Sequence, residues 1–374
     1  AQRCRAMEGL GLNRLFDSVY DGTRVLVTGH TGFKGSWLCL WLRAMGAQVS
    51  GLALSPNTEP SHWTLLGLTD VADHRIDLRD AAAVRDCLRS LQPQIVFHLA
   101  AQPLVRRSYA DPADTFATNV TGVVNLFECL RGLEGLRAVV HATTDKVYRN
   151  PPADSGYDEG HPLGGHDPYS TSKACAELIS ECYQKCFFTG VDPLAARLAT
   201  ARAGNVIGGG DWSEDRLVPD LVRAATTGAP LLIRNPNAIR PWQHVLDALS
   251  GYLCLGKALL ADDKKEGSWN FGPDANAAMS VRELAEQLRR HWPRVNVISA
   301  AGPHPHEADT LRLDSRKAHS ELGWKPVLNL TTTIESTIHW YRAYYEHGYA
   351  RSRDDLDAYV MAARDAGLEW AMLQ

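Results

Sequence analysis

Five short runs of apolar and β-branched residues recur in the first part of the chain, and segments with helical spacing separate them. The runs cover residues 24–28, 48–54, 74–78, 95–100 and 138–144. Strands that alternate with helices are typical of a parallel sheet with helices on both faces. The pattern therefore predicts a doubly wound α/β fold, in which ligands bind beyond the carboxyl ends of the strands.

A glycine-rich turn follows the first predicted strand directly. Residues 29–35 read Gly-His-Thr-Gly-Phe-Lys-Gly, and a predicted helix at 36–45 leads into the second strand. Glycines permit a tight turn and let the backbone approach a pyrophosphate, whose charge then faces a helix N-terminus. A glycine turn alone is weak evidence, but the order strand, turn, helix, strand is the context that a dinucleotide site requires.

Tyr169 and Lys173 stand four residues apart in a segment that begins like a helix. Asp167 can cap its start and Pro168 can fill its first turn, so residues 168–185 are predicted to be helical. The phenol and the ammonium would then share one face. A nearby cation lowers a phenol pKa that is ordinarily ~10, which lets the tyrosine take a proton from a sugar hydroxyl. Taken alone, this spacing also arises by chance on solvated helices.

Composition indicates a soluble globular enzyme of about two domains. The 374 residues are 45% hydrophobic and 22% charged, with a net charge of -4, so no basic excess points to nucleic acid or a membrane. No apolar run approaches the ~18 residues that span a bilayer, and residues 1–20 lack the core of a secretory signal. The eight cysteines form no Cys-x-x-Cys pair and are expected to be reduced. A cytoplasmic location follows as an expectation.

These motifs resemble the extended short-chain dehydrogenase/reductase family of nucleotide-sugar enzymes over about residues 20–345. The Gly-x-x-Gly-x-x-Gly turn, Tyr-x-x-x-Lys and Phe97-His-Leu-Ala-Ala101 carry the likeness. It implies a Rossmann domain in which Asp77 contacts adenine and Asn119 supports the active-site helix. The cofactor-binding residues that it implies are Gly29, Thr31, Gly32, Phe33, Lys34, Gly35, Ser55, Asp77, Leu78, Leu99, Ala100, Ala101, Asn119, Tyr169 and Lys173.

The choice between NAD and NADP rests on the end of the second strand. The segment Ala53-Leu-Ser-Pro56 has no acidic residue that would bond the ribose 2′-hydroxyl and select NAD. It has no arginine that would favour a 2′-phosphate either. The resemblance favours NAD.

Within that family the chain looks like the branch that removes water from CDP-D-glucose. Lys34, Lys146 and two long strings, 202–212 and 234–245, carry this likeness. It implies conversion of CDP-D-glucose to CDP-4-dehydro-6-deoxy-D-glucose and water, with substrate contacts from Asn205, Arg240, Trp242 and His306. A planar guanidinium suits a pyrophosphate, whereas Trp242 either stacks on the base or packs in the core.

The resemblance implies a catalytic set of Thr144, Asp145, Lys146, Tyr169 and Lys173. Tyr169 would take the proton of the 4-hydroxyl while NAD accepts hydride from carbon 4, and Thr144 would bond the 4-oxygen. Asp145 would protonate the leaving 6-hydroxyl, which requires a raised pKa, and Lys146 would have to be neutral to take the carbon 5 proton. Related dehydratases have glutamate there, so the base stays open. The alternative is that Lys146 pairs with a carboxylate.

Four parts of the chain are expected. Residues 1–19 form an extension that is either disordered or an artefact of translation upstream of Met7. Residues 20–205 with about 243–267 form the NAD-binding domain, about 206–242 with 268–345 form a smaller α/β nucleotide-sugar-binding domain, and 346–374 form a helical tail. His304, His306, Glu307 and Asp309 stand close together, but their spacing fits no zinc motif, so no metal is expected.

Three rival functions share part of this pattern. A nucleotide-sugar 4-epimerase would need the turn and the Tyr169 and Lys173 pair but not the elimination pair, Asp145 and Lys146. A dehydratase for another nucleotide-sugar would differ only in detail, and a non-enzymatic dinucleotide sensor would need the turn alone. The resemblance also implies a homodimer through the helix that carries Tyr169.

Overall fold

The computed structural model describes residues 10–149, 156–188, 196–261, 264–274, 278–292, 295–299 and 312–373. The described strands are β1 (Arg24–Thr28), β2 (Gln48–Ala53), β3 (Ala72–Arg75), β4 (Ile95–His98), β5 (Ala138–Ala142), β6 (Arg197–Ala203), β7 (Asn205–Ile207), β8 (Leu231–Ile233), β9 (Ile239–His244), β10 (Gly267–Phe271), β11 (Ala278–Ser280) and β12 (Val297–Ser299). The described helices are α1 (Phe33–Ala44), α2 (His62–Leu66), α3 (Ala81–Leu91), α4 (Val105–Ala110), α5 (Pro112–Phe116), α6 (Gly122–Leu130), α7 (Pro168–Cys186), α8 (Leu217–Thr227), α9 (Val245–Leu260), α10 (Val281–His291), α11 (Arg316–Glu321), α12 (Leu330–His347) and α13 (Ser352–Asp365). None of these helices has both the length and the apolar character that crossing a bilayer requires.

A seven-stranded parallel sheet forms the first domain, with strand order β10-β6-β5-β4-β1-β2-β3. Its central strands β4 and β5 are buried along their whole length. Strands covered by helices on both faces have continuous apolar sequences rather than alternating ones, and for this reason they could be predicted from the sequence. The doubly wound α/β fold is confirmed.

β1 has its predicted bounds, but the other four strands are shorter than the apolar runs that predicted them. β2, β4 and β5 end at residues 53, 98 and 142, and β3 lies at 72–75 rather than 74–78. The residues beyond these ends leave the ladder and turn at the carboxyl edge of the sheet. Helix α1 begins at residue 33, three positions earlier than predicted, because the glycine turn itself opens the helix.

The second domain begins where β6 passes through Gly204 into β7. β7 leaves the large sheet and pairs with β9, which also pairs with β11, while β8 pairs with β12. The chain then returns to the first domain through α9 and β10. Because β10 pairs in parallel with β6, the returning segment extends to residue 271, beyond the predicted limit near 267.

Residues 10–19 are not a disordered extension, which corrects that expectation for the part of 1–19 that the structure describes. Leu12, Leu15 and Phe16 are buried in the core. The Phe16 ring stacks on Trp370 at a centroid distance of 4.9 Å, and Trp370 also contacts Trp41 of α1. Both ends of the described chain therefore pack on the first domain, so the predicted helical tail is part of that domain's core.

Candidate active site

A cavity of about 620 Å³ opens at the carboxyl ends of β1, β4 and β5 and reaches into the second domain. The predicted site residues that line it are Gly29, Thr31, Gly32, Phe33, Lys34, Gly35, Ser55, Asp77, Leu78, Leu99, Ala100, Ala101, Thr144, Lys146, Tyr169, Lys173, Asn205, Arg240 and Trp242. Asn119 and Asp145 lie behind the cavity wall, and His306 lies outside the described residues. The fold therefore brings residues that were predicted from segments more than 200 positions apart to the wall of one cavity.

Two glycines of the turn, Gly29 and Gly35, are packed too closely against main chain to be replaced by a residue with a side chain. Gly29 has a φ of +73°, and a Cβ on it would lie 2.7 Å from the Ala100 nitrogen. A Cβ on Gly35 would lie 2.1 Å from the Gly29 carbonyl oxygen. This packing holds the first turn of α1 at the cavity, where Phe33, Lys34 and Gly35 line the wall. Backbone N–H groups at a helix start fit the phosphates of a dinucleotide.

The far end of the cavity carries the predicted adenosine contacts. Asp77 follows β3 and accepts hydrogen bonds from the Arg79 guanidinium, with Nη2 to Oδ2 at 2.5 Å, which hold the pKa of that carboxyl below its usual value. Thr31 Oγ1 donates to the Leu54 carbonyl at 3.0 Å and so ties the glycine turn to the end of β2. Ser55 lies next to this bond on the cavity wall.

Asn119 supports helix α7 from behind the cavity wall, and its contact with the cofactor stays a prediction. It lies in the π-helical turn Ala117–Thr121 and is 1% exposed. Its Nδ2 donates to Ser172 Oγ at 2.9 Å and to the Gln102 carbonyl at 3.0 Å, and its Oδ1 accepts from the Gln102 nitrogen. The amide therefore links α7 to the segment that follows β4.

Helix α7 begins as predicted. Asp167 Oδ1 accepts from the Ser170 nitrogen at 3.0 Å, and Pro168 occupies the first position. Tyr169 and Lys173 are both buried on one face of the helix. Lys173 Nζ donates to the Ala142 carbonyl at 3.2 Å. The phenol and the ammonium therefore meet the end of β5.

The ionisation of Tyr169 differs from the prediction. Burial raises its pKa to about 12, although a hydrogen bond with Thr144 and the nearby Arg216 guanidinium act in the opposite direction. Burial lowers the pKa of Lys173 to about 8, and the Glu177 carboxylate opposes that fall. Lys173 alone thus does not bring the phenol into the neutral range, since desolvation is the larger effect.

Asp145 and Lys146 form an ion pair at the end of β5, as the alternative in the sequence analysis proposed. Lys146 Nζ lies 3.2 Å from Asp145 Oδ1, which also accepts from Thr144 Oγ1 at 3.1 Å. Asp145 is 1% exposed, and its Oδ2 has no hydrogen-bond partner among the described residues. A Cβ on Gly204 would lie 2.9 Å from that oxygen. Lys146 lines the cavity and is 26% exposed, whereas Asp145 lies beneath the wall.

Two cavity features were missed by the sequence analysis. Lys34 Nζ lies 3.3 Å from the Tyr252 hydroxyl of α9, and burial lowers the pKa of Lys34 to about 7. Arg216, just before α8, also lines the cavity. Neither Tyr252 nor Arg216 belongs to a motif, and only the fold brings them to the glycine turn. Lys34, Lys146, Lys173 and Arg216 all line the wall, and these cationic side chains make the cavity suited to a diphosphate.

The predicted substrate residues lie on the second-domain side. Arg240 is buried, and its Nη1 donates to the Ile239 carbonyl at 3.0 Å. Asn205 Nδ2 is buried and has no hydrogen-bond partner among the described residues. Trp242 donates from Nε1 to the Met279 carbonyl at 3.2 Å and is 8% exposed. Trp242 thus packs in the core and also lines the cavity.

The parallel sheet, the glycine turn and the paired Tyr169 and Lys173 define an enzyme of the extended short-chain dehydrogenase/reductase class. More particularly, the chain belongs to the GDP-mannose 4,6 dehydratase family, whose sequence model matches residues 26–337. It is 45% identical to a CDP-glucose 4,6-dehydratase of Salmonella typhimurium over 331 residues, which is 87% of this chain and 92% of that protein.

Solved structures agree with this class. The dTDP-glucose 4,6-dehydratase DesIV of Streptomyces venezuelae, solved with NAD, is similar with a TM-score of 0.72 and 26% identity, over 86% of this chain and 97% of that one. The UDP-glucose 4-epimerase of Thermus thermophilus, in complex with NAD, is similar with a TM-score of 0.72 and 26% identity, over 86% and 99%. The fold thus serves both reactions, and side chains must decide between them.

Proposed function

We propose that this protein is an NAD-dependent CDP-glucose 4,6-dehydratase that forms CDP-4-dehydro-6-deoxy-D-glucose and water. One observation supports this proposal most strongly. At the end of β5, the buried Tyr169 and Lys173 lie beside the ion pair of Asp145 and Lys146. A 4-epimerase has no use for the second pair. The 45% identity to the Salmonella typhimurium CDP-glucose enzyme supports the choice of nucleotide.

NAD would lie with its pyrophosphate at the first turn of α1 and its adenosine beside Asp77 and Ser55. The close packing at Gly29 and Gly35 fits this placement, since a Cβ at either position would meet main-chain atoms and displace the turn that opens α1. Bound NAD supplies a hydride acceptor for carbon 4 of the sugar and a hydride donor for carbon 6 at the end of the cycle.

Tyr169 would take the proton of the 4-hydroxyl in the oxidation. Its bond with Thr144 places the phenol at the end of β5, and the Lys173 ammonium stabilises the phenolate that forms. The positive charge of an oxidised nicotinamide acts in the same direction. Oxidation comes first because a ketone at carbon 4 makes the carbon 5 proton acidic.

Asp145 and Lys146 would serve the elimination. Transfer of one proton from Nζ to Oδ1, across their 3.2 Å contact, converts the ion pair into a neutral amine and a carboxylic acid with no change in total charge. The neutral amine of Lys146, which lines the cavity, would then take the proton from carbon 5. The protonated carboxyl of Asp145 would supply the proton for the departing 6-hydroxyl.

The substrate diphosphate would lie against Arg240 and Arg216, whose planar guanidinium groups can bind it through paired hydrogen bonds. Asn205 Nδ2 would donate to the sugar nucleotide, which gives this buried amide the partner that it lacks among the described residues. Trp242 would border the base. His306 is retained as a predicted contact on the sequence resemblance alone.

The test is to incubate the purified protein with NAD and, separately, CDP-glucose, dTDP-glucose, UDP-glucose and GDP-mannose, and to follow the sugars by mass spectrometry. Loss of one water from CDP-glucose, with one deuterium gained when the reaction runs in D₂O, is the expected result. An unchanged mass with an inverted sugar would identify an epimerase instead. No change in any donor would favour the sensor function.

We also propose a homodimer through α7. The helix carries Leu178, which is 55% exposed, and is followed directly by Phe187, which is 41% exposed; neither lines the cavity. Exposed apolar side chains on one helix indicate a protein contact. Sedimentation should give twice the chain mass, and Leu178→Glu should give the monomer; a monomeric wild-type protein would contradict the proposal.

A further inference from the structure

Glu177 lies one helical turn beyond Lys173 and shares the buried face of α7 that carries Tyr169. Its side chain is 2% exposed, and no step above uses it. The carboxylate accepts hydrogen bonds from four side chains: Thr143 Oγ1, Thr200 Oγ1 at 2.8 Å, Arg202 Nη2 at 2.7 Å and Ser268 Oγ at 3.2 Å. A buried carboxylate with so many donors is held in its ionised form.

Arg202 of β6 fixes this carboxylate from the other side. It is 2% exposed, and its guanidinium donates to the Tyr148 hydroxyl at 2.7 Å and to Ser268 Oγ at 2.8 Å. Burial alone would raise the pKa of Glu177, yet Arg202 and the hydroxyl donors hold it below its usual value. Glu177 therefore remains negative throughout the pH range in which an enzyme works.

Glu177 is connected directly to the reacting end of β5. It bonds Thr143, the residue between Ala142 and Thr144. The Ala142 carbonyl accepts a hydrogen bond from Lys173 Nζ, and the Thr144 hydroxyl forms a hydrogen bond with the Tyr169 phenol. The same carboxylate thus fixes the strand end that positions both catalytic groups, and it lies near enough to Lys173 to raise that pKa.

The other titratable groups around Lys173 do not replace this charge. His98 of β4 and His141 of β5 face it, but burial lowers the pKa of His98 to about 3 and that of His141 well below its usual value, so both are neutral. Lys34 at the start of α1 adds a positive charge, and Tyr169 is uncharged when protonated. Asp145 is a second buried carboxylate of the site and acts on Lys34 and Tyr169, whereas Glu177 is the carboxylate that opposes the fall of the Lys173 pKa.

We propose that Glu177, held by Arg202, is a positioning residue that keeps Lys173 protonated inside the buried site. It thereby sets the upper pH limit at which Lys173 can support the loss of the Tyr169 proton. The charge of Lys173 is a property of the fold, whereas its consequence for turnover rests on the proposed function.

The direct test is an NMR titration of the protein, loaded with NAD and labelled with ¹³C at lysine Cε. The chain has nine lysines, and the signal that disappears in Lys173→Arg is that of Lys173. In the isosteric variant Glu177→Gln, the titration midpoint of Lys173 is expected to fall by about one pH unit or more. An unchanged midpoint would overturn the proposal.

Two controls separate charge from structure. Glu181→Gln removes an exposed carboxylate one turn further along α7, paired with Lys185, and should leave the Lys173 midpoint unchanged. The double variant Glu177→Gln with Arg202→Met removes the buried cation that the single variant leaves unpaired. Its melting temperature should return towards that of the wild type, while its Lys173 midpoint stays below the wild-type value. A midpoint restored together with stability would show a purely structural role.

Turnover of CDP-glucose gives the kinetic consequence. In Glu177→Gln, the alkaline limb of the kcat/KM profile should move to lower pH in step with the Lys173 midpoint. A loss of rate that is equal at every pH would contradict the proposal. If the wild-type protein turned over none of the sugar nucleotides, the proposed function would fail, and the NMR titration would still decide the role of Glu177.

Discussion

The Tyr169 hydroxyl lies where burial and neighbouring charges act in opposite directions on its ionisation. Burial raises its pKa to about 12, and Arg216 and the hydrogen bond from Thr144 lower it. Each pKa unit corresponds to about 1.4 kcal/mol, so the phenolate depends on every positive charge that the complete site can offer. A cavity wall that carries several lysines and arginines suits this need.

Replacing Tyr169 with Phe should lower the rate of sugar oxidation by about 10²-fold to 10⁴-fold, because it removes the acceptor of the 4-hydroxyl proton. Substrate affinity should change little. Single-turnover formation of reduced cofactor, followed at the nicotinamide absorbance, measures this step. The matched control is Tyr183→Phe, which removes a hydroxyl bonded to Glu128 at the outer surface of the same helix. Wild-type oxidation in Tyr169→Phe would refute its role.

Lys146→Met and Asp145→Asn should permit oxidation but stall elimination. Each breaks the ion pair at the end of β5, so no base is left to take the carbon 5 proton, or no acid to protonate the leaving group. Reduced cofactor should accumulate without loss of water from the sugar, as shown by absorbance and mass spectrometry on one sample. Lys185→Met, at an exposed position of α7, is the control. Normal dehydration in either variant would remove that residue from the mechanism.

At the scale of secondary structure elements, the glycine turn joins β1 to α1 by contact of backbone with backbone. Gly35 lies under Gly29, so a Cβ at position 35 would meet the Gly29 carbonyl oxygen at 2.1 Å. A flexible side chain could move away from such a Cβ, but the Gly29 carbonyl belongs to the main chain and cannot move without shifting the turn. The turn and the start of α1 therefore depend on each other.

Gly35→Ala should weaken NAD binding by at least about tenfold, since the turn must shift and the phosphate approach is lost. Fluorescence titration with NAD measures the affinity, and circular dichroism tests whether the variant is folded. Gly132→Ala is the matched control because a Cβ there would meet no atom within 4 Å. An unchanged Kd in Gly35→Ala would show that the turn tolerates displacement.

The elements that the sequence predicted well are those whose signal is local. An apolar run followed by glycines, or Asp167 and Pro168 before Tyr169, gives both the element and its chemistry. The strand ends could not be predicted to the residue, because apolar side chains such as Leu99 continue past the ladder to line the cavity.

Other site features depend on residues that are distant in sequence. Arg202 and Glu177 pair through β6 and α7, and Lys34 meets Tyr252 across 218 positions. Such pairs cannot be predicted from the spacing of residues along the chain. Asp145 and Lys146 are neighbours, yet only the fold shows that Lys146 lines the cavity and that Asp145 is buried beneath it. The buried segment around Phe16 was missed since its residues adopt positive φ and have no helical period.

At the scale of the whole molecule, Asp247 joins the C-terminal segments to the first domain. It is fully buried on α9, and its Oδ1 accepts from the Val327 nitrogen at 2.7 Å and the Tyr359 hydroxyl at 2.8 Å. Burial raises the pKa of Asp247 to about 7, although these bonds oppose the rise. The folded protein thus holds a proton that the unfolded chain releases at lower pH.

The contribution of Asp247 to the stability of the fold should therefore fall as pH rises. The contribution from protonated Asp247 is complete below the unfolded pKa of about 4 and is lost as pH passes the folded value of about 7. Asp247→Asn keeps the acceptor oxygen and removes the titration. The melting temperature of the variant minus that of the wild type should rise between about pH 5 and about pH 8. A constant difference would show that Asp247 does not titrate in the fold.

The described part of the chain begins at residue 10 and finishes at residue 373, and the packing of these two ends on the first domain has a topological consequence. Arg364 donates to the Leu10 carbonyl at 2.7 Å, and a Cβ on Gly11 would lie 3.2 Å from Leu373. Because the entropy of closing a loop grows only slowly with its length, a short linker could join these ends. Opening the chain in the exposed turn around Gly132 and Gly135 would then give a circular permutant whose cavity is assembled from the same elements in a new order.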